Sequence, residues 1–367
     1  MGFKCGIVGL PNVGKSTLFS ALTSAKAEIA NYPFCTIDPN VGIVKVPDSR
    51  LAKIVEIIPT QSIIPASMEF VDIAGLVRGA SKGEGLGNQF LAHIREVNAV
   101  AHVVRCFADG NIHHVEESIN PVRDIETIET ELQLADLDTV DRRLQNLGRL
   151  SKSGSPEAKE QLAIAERIKV GLSAGRSVRT LALTEEQQLQ IRDLHLLTAK
   201  PILYVCNVGE EDLTTSAGDL PLVKLVADRA AKEGARSIIV CGKVEAELAD
   251  MSEVDRPLFL EEMGVGESGL VRLIRTGYEL LKLITYFTAG PKEVRAWTIE
   301  RGWRAPQAAG RIHSDFEKGF IRAEVYHVDE LIRAKSEAAI RSMGLLRLEG
   351  KDYVVKDGDV MHFRFNT

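Results

Sequence analysis

The run Gly9-Leu10-Pro11-Asn12-Val13-Gly14-Lys15-Ser16 carries the clearest chemistry in this chain. It has the spacing G-x-x-x-x-G-K-S, in which a glycine-rich turn runs into a helix and wraps phosphate oxygens with backbone N–H groups. Lys15 is placed to reach the β- and γ-phosphates, and Ser16 to offer its hydroxyl to Mg²⁺. Asn12, Val13, Gly14, Lys15, Ser16 and Thr17 are the candidate phosphate-binding residues. Asp72 ends the apolar run Met68–Asp72. A carboxylate at the tip of a buried strand is the expected second anchor for Mg²⁺, through water. Gly75 follows closely and can turn its N–H toward the γ-phosphate. Thr36 sits where a switch loop would supply a second hydroxyl. The expected metal set is therefore Ser16, Thr36 and Asp72.

A second cluster, Asn207-Val208-Gly209-Glu210, follows the apolar run Ile202–Cys206. GTPases of the Ras-like kind carry N-K-x-D in such a place, and the Asp accepts hydrogen bonds from guanine. Here Val208 replaces the Lys and Glu210 replaces the Asp. A longer carboxylate is misplaced for guanine. Losing paired hydrogen bonds to one base edge costs several orders of magnitude in discrimination. Asn207, Val208 and Glu210 are the candidate base-site residues, with the expected preference moving from guanine to adenine. The run Val240–Glu245 stands where a loop would touch the base through backbone. Its Gly242-Lys243 pair departs from the small residues expected there.

These residues need a scaffold. Phe3–Val8, Met68–Val71, Val100–Cys106, Pro201–Cys206 and Ser237–Cys241 are short runs rich in apolar and β-branched residues, separated by helical stretches. That alternation predicts a parallel sheet with helices on both faces. Between residues 125 and 198 the texture changes. Ile125, Ile128, Leu132, Ala135, Val140, Leu144 and Leu147 recur at helical spacing. Pro156 is placed to open a second helix. Thr184 with Gln187 reads as a capping box for a third helix carrying Leu189, Leu194 and Leu197. This is an inserted helical hairpin of coiled-coil character. After Lys282 a small α+β module is predicted: a turn over Thr285–Pro291, strands at Val294–Ile299 and Gly319–Val325, a helix over Val328–Met343, and closing strands at Tyr353–Val355 and Val360–Phe365. Trp297, Phe316 and Phe320 in that module read as core, with nucleic-acid contact beside Arg and Lys, in a cleft between the insertion and this module, as the alternative. The domain boundaries expected are 1–124 with 199–280, then 125–198, then 281–367.

The bulk numbers fit an ordinary globular chain of two or three domains, with 367 residues, 45% hydrophobic and 26% charged. No apolar run approaches the ~20 residues that span a bilayer. The N-terminus reads as a strand, not a signal peptide. No membrane partner is expected, and the location expected is cytoplasmic. Five widely spaced cysteines, Cys5, Cys35, Cys106, Cys206 and Cys241, read as free thiols in a reducing compartment. The net charge of −6 gives no global nucleic-acid signal, although the part from Tyr278 onward is the more basic.

From Met1 to Thr367 the chain resembles the YchF (Ola-like) branch of the Obg-related P-loop GTPases. Gly9–Ser16, Tyr32–Asn40, Phe70–Gln89, Asn207–Glu210, Thr285–Trp297 and Ala308–Ile321 carry the resemblance. It implies an α/β P-loop domain with a helical coiled-coil insertion and a C-terminal TGS domain of β-grasp type. It implies ATP hydrolysis with Mg²⁺, weaker use of GTP, association with the ribosome through its large subunit or RNA, and a role in translation or stress response. A monomer is expected, and Asn12 is a candidate K⁺ ligand. Leu76 stands where Ras-like enzymes place a water-orienting Gln, and a Leu cannot orient water. The resemblance supplies a loop His instead. His114 falls at that position, with His113 the alternative. The expected catalytic residues are then His114, Lys15 and Gly75.

Overall fold

A computed structural model of the protein describes residues 3–24, 40–74, 86–109, 118–152 and 155–366. In chain order, β1 (Lys4–Val8) leads to α1 (Lys15–Ser24), β2 (Val41–Lys45), α2 (Ser49–Ile57), β3 (Ser62–Ile64), β4 (Ser67–Asp72), α3 (Leu86–Glu96) and β5 (Ala99–Arg105). Then come α4 (Pro121–Lys152), α5 (Pro156–Ser173), α6 (Glu185–Gln190), β6 (Ile202–Asn207), α7 (Pro221–Glu233), β7 (Arg236–Val240), α8 (Gly242–Asp250), α9 (Asp255–Glu262) and α10 (Gly269–Leu280). The last set is β8 (Leu283–Ala289), β9 (Glu293–Glu300), α11 (Ala305–Ile312), α12 (Ser314–Lys318), β10 (Phe320–His327), α13 (Val328–Ala334), α14 (Glu337–Ser342), β11 (Arg347–Glu349) and β12 (Asp359–Phe365). They form two units, Met1–Ile43 with Glu69–Leu273 and Val44–Met68 with Ile274–Thr367.

The first unit is built on a sheet in the order β2-β4-β1-β5-β6-β7. The β4–β1, β1–β5, β5–β6 and β6–β7 pairs are all parallel. Every residue of β5 is buried, as a central parallel strand covered on both faces should be. Each Val buried there contributes about 1.5–3 kcal/mol. Two polar residues interrupt this apolar strand, His102 and Arg105, each 1% exposed.

The helical segment begins with α4, whose Ile125, Ile128, Leu132, Ala135, Val140 and Leu147 are buried as the spacing predicts. Ser155 caps α5 by accepting from the Ala158 N–H at 3.2 Å, and Pro156 opens the helix. The Thr184–Gln187 capping box is present. The third helix is shorter than expected. It ends at Gln190, and 3₁₀ turns carry the chain through Leu194 and Leu197. The cause is a buried acid: Asp136 on α4 accepts from the Leu197 and Thr198 N–H groups at 2.7 and 2.8 Å and draws the segment back to the sheet. This insertion is part of the first unit. Arg179 pairs with Glu129 of α4 and, at 3.0 Å, with Glu233 of α7, which also accepts from the Tyr204 hydroxyl of β6 at 3.0 Å.

The second unit has its sheet in the order β11-β10-β12-β8-β9-β3. A parallel β12–β8 pair sits between the antiparallel β8–β9 and β10–β12 pairs, which is the expected β-grasp arrangement. The extra edge strand, β3, pairs in parallel with β9 from Ser62↔Glu293 to Ile64↔Arg295. It comes from Val44–Met68, which the sequence reading places in the nucleotide-binding domain but which groups with the C-terminal unit. Phe320 is buried, and Trp297 and Phe316 pack half-buried against the same core.

Three element assignments need correction. Leu283–Ala289 is a strand, so the turn is confined to Gly290-Pro291. The helix over Val328–Met343 is broken in two. Lys335 adopts φ +63°, and Ser336 starts α14 by accepting from the Ala339 N–H at 3.1 Å. Tyr353–Val355 makes only an isolated bridge, Arg304↔Val354, because its hydrogen bonds go to the Trp303–Ala305 turn.

Candidate functional site

The phosphate loop leaves the C-terminal end of β1 and enters α1, where Leu18 N–H donates to the Gly14 carbonyl at 3.0 Å. Two glycines are required by space. A Cβ on Gly14 would stand 2.2 Å from Asn207 Nδ2, and Gly14 holds φ +93°. A Cβ on Gly9 would meet the Val103 carbonyl oxygen at 2.8 Å. Asn12 adopts φ +62°, in the left-handed region that Asn tolerates better than most residues. Ser16 and Thr17 are exposed at the helix start. Their position combines free N–H groups with the positive end of the helix dipole.

Lys15 and Asp72, 57 positions apart, meet in an ion pair at the top of β1 and β4. The register makes this possible: Ile7 faces Asp72 across the parallel pair, and Ile73 N–H donates to the Ile7 carbonyl at 3.1 Å. Ser16 and Asp72 thus lie on the phosphate side of the sheet as an alcohol and a carboxylate. Hard oxygen donors of this kind suit Mg²⁺. Thr36, Gly75, Leu76, His113 and His114 lie outside the described residues.

Asn207 is the keystone of the base side. It is 5% exposed at the end of β6. Its Nδ2 donates to the Val13 carbonyl and its Oδ1 accepts from the Gly242 N–H, both at 2.9 Å. One side chain therefore ties the phosphate loop to the β7–α8 loop. Val208 is buried beside it and donates its N–H to the Val240 carbonyl at 2.9 Å. Glu210 opens a 3₁₀ turn, and its carboxylate accepts from Lys243 Nζ at 2.8 Å. That hydrogen bond pushes the Lys243 ammonium above its usual range.

Together these groups enclose a cleft of about 780 Å³ that runs from Asn12, Gly14 and Thr17 to Val208, Glu210 and Lys243. That volume lies in the range of cofactor sites. Phe107 also lines it, and sequence reasoning missed this residue. Arg105 holds it in place. Buried at the end of β5, Arg105 donates to the Phe107 and Asp109 carbonyls, each at 3.2 Å, and stacks over the Phe107 ring at 4.6 Å. The signal available is an Arg closing a strand that is apolar apart from His102.

Cys35 lies outside the described residues, and Cys241 lines the cleft. Cys5, Cys106, Cys206 and Cys241 are buried and free. Burial pushes the Cys5 thiol up to about 12 and raises Cys241. A hydrogen bond with Cys206, then burial, raises Cys106. Protonated thiols are poor nucleophiles. Among the described residues, no helix is long and apolar enough to cross a membrane.

Known proteins share this whole layout. A family model described as a 50S ribosome-binding GTPase matches residues 4–137. A model for the YchF GTPase C-terminal domain, described as a protein of unknown function, matches residues 283–366. The chain is 53% identical to the ribosome-binding ATPase YchF of Bacillus subtilis (strain 168) and 54% identical to that of Escherichia coli O157:H7. Both matches cover 100% of each chain. The solved structure of the Schizosaccharomyces pombe YchF GTPase superposes with a TM-score of 0.89 at 40% identity, covering 99% of this chain and 98% of that one.

Proposed function

The chain belongs to the YchF family of P-loop nucleotide hydrolases, and we propose that it is a ribosome-associated ATPase that prefers ATP to GTP. The observation that carries the base preference is the Asn207–Glu210 corner. Val208 is buried where a guanine-specific site would have Lys, and the Glu210 carboxylate is engaged by Lys243. A base edge offering the guanine pattern of donors meets no free short carboxylate there. The apolar wall of Val208 and Phe107 is tolerant of adenine.

In the hydrolytic step, Lys15 and the loop amides neutralise charge on the transferring phosphoryl group. Ser16, Thr36 and Asp72 would hold Mg²⁺, which supplies Lewis-acid neutralisation of the phosphate oxygens. Asn12 is the candidate K⁺ ligand. Gly75 senses the γ-phosphate. Leu76 cannot orient water, so His114, or His113 beside it, positions the nucleophile when its loop closes on a partner. The ribosomal contact proposed is the large subunit or its RNA. The setting is regulation of translation or the stress response by a cytoplasmic monomer.

The test is ATP turnover with and without ribosomes. A ribosome-stimulated rate that disappears in His114→Ala supports the hydrolase reading. Leu76 favours one alternative, a nucleotide-gated binding protein whose turnover is incidental. No stimulation, with ribosome affinity equal in all nucleotide states, would sink the first reading. Ribosome affinity that changes with the bound nucleotide, without stimulated turnover, would select the second.

A further inference from the structure

The parallel strands of the first unit begin at the end of the sheet opposite the phosphate loop. Between that end and the returning turns of the helical insertion lies a second cleft of about 690 Å³. It is bounded by Asn98 and Pro201, just before β5 and β6, and by the 3₁₀ turns that follow α6.

The lining is unusually basic for a chain of net charge −6. Arg95, Arg192 and His195 are exposed there. Lys200 spends two of its ammonium protons on the Arg95 and Val97 carbonyls and keeps the third. Arg179 lies deeper, 10% exposed, with its charge met by Glu129 and Glu233 and its Nε buried without a hydrogen-bond partner. Among the described residues, Glu96 is the acidic side chain on the lining. Half-buried Leu183 and the edges of the buried Ile191 and Leu196 supply apolar wall beside this charge.

The backbone at the rim carries a second, independent signal. Ala182 and His195 adopt φ +45° and +46°. Left-handed backbone is costly for a residue with a Cβ, above all for Ala, and such outliers gather at ligand-binding positions. At His195 the outlier ends the Arg192–Leu194 turn and leaves the imidazole exposed on the cleft.

We infer that this cleft binds single-stranded RNA, with Arg95, Arg192 and Lys200 on the phosphates and the His195 ring against a base. Among the described residues Arg95 and Arg192 make no salt bridge, and exposed guanidinium groups are suited to phosphodiesters. An exposed imidazole beside apolar wall is a stacking platform for an unpaired base. The inference deepens the ribosome-associated reading and rests on it for its biological setting. It names the surface that would meet ribosomal RNA.

The direct test is fluorescence anisotropy of a short fluorescein-labelled oligouridine with the full chain, ATP saturating the phosphate loop. The expected result is binding that the double variant Arg95→Gln/Arg192→Gln weakens at least about tenfold, with the slope of log K against log salt shallower by about 1.4, two phosphate contacts. His195→Gly relieves the strained backbone and removes the ring, so it should fold well and still bind more weakly. Basal ATPase of these variants should match the parent, and the double variant should keep the parent's thermal midpoint. Unchanged affinity and salt slope in the double variant would overturn the proposal. So would polyglutamate binding as tightly as oligouridine, which would mark a site for acidic peptide. Ribosome co-sedimentation separates the two levels. A parent chain that fails to sediment with ribosomes defeats the ribosome-association reading. Parent and double variant that bind ribosomes and oligouridine equally defeat the cleft alone.

Discussion

Arg50 and Asp357 are 307 positions apart and share a hydrogen bond of 2.7 Å. Arg50 also engages the Asp48 carboxylate, and Asp357 accepts from the Thr285 N–H at 2.8 Å. This clamp, with β3 on the edge of β9, builds Val44–Met68 into the C-terminal unit. That segment begins at the end of β2.

Arg50→Ala should therefore loosen the C-terminal unit. Both partners are partly exposed, so the expected cost is about 1–2 kcal/mol. The readout is selective, because both tryptophans of the chain, Trp297 and Trp303, lie in that unit. Urea unfolding followed by tryptophan fluorescence should shift to lower midpoint. Arg50→Ala/Asp357→Ala should cost less than the sum of the single variants. Additive losses would show that the pair is not coupled.

Asn207 makes a prediction about affinity. Asn207→Ala removes both the donor to Val13 and the acceptor for Gly242, leaving a buried carbonyl and a buried N–H unpaired. The expected loss is about 1–3 kcal/mol, or about fivefold to 150-fold in ATP affinity. Asn207→Asp keeps the shape but cannot donate to the Val13 carbonyl, so it should fall between the two. Equilibrium titration with a fluorescent ATP analogue decides. If Asn207→Ala binds as tightly as the parent, the bridge does not organise the loop.

What the sequence made legible was local or carried by spacing. Lys15 and Asp72 could each be assigned to one site in advance because a phosphate loop and a strand-tip acid occupy fixed places around one parallel sheet, whereas no spacing announces the ion pair between them. The buried stripe of α4 followed from its period. The Arg50–Asp357 clamp and β3 were invisible, because no local pattern announces a partner in a distant edge strand. Arg105 was passed over for a related reason. A polar residue at the end of an apolar strand looks like a strand end, and only the fold shows which carbonyls it holds. The break at Lys335 is hidden by helix periodicity, because a Ser inside a periodic run carries no local mark of the cap that Ser336 forms.

The base corner yields a specificity prediction. Val208→Lys/Glu210→Asp restores the N-K-x-D pattern, frees the carboxylate from its reach to Lys243, and shortens it toward guanine geometry. The ratio of GTP to ATP affinity should rise by at least about tenfold. Competition between the two nucleotides for the double variant measures it. A ratio that does not move would place base selection elsewhere in the cleft, with Phe107 the next residue to change.

His102 makes the first unit acid-sensitive. It is 1% exposed inside β5, its Nδ1 has no hydrogen-bond partner, and its ring tilts against Tyr204 at 5.7 Å. Burial first, then the Arg179 charge, lowers its pKa to about 3. The unfolded chain takes up a proton here below about pH 6.5. The folded chain does not until about pH 3. Stability from this residue is therefore whole above pH 6.5 and falls as pH drops toward 3, by at most about 1.4 kcal/mol per pH unit. Burial raises the Asp136 and Glu245 carboxyls, which pull the opposite way. The informative quantity is therefore the difference between His102→Gln and the parent. Urea midpoints by far-UV circular dichroism at pH 7.5 and 5.5 should fall less steeply in the variant, whatever its absolute stability. Parallel lines for the two proteins would mean that His102 does not set the acid limit of the nucleotide-binding unit.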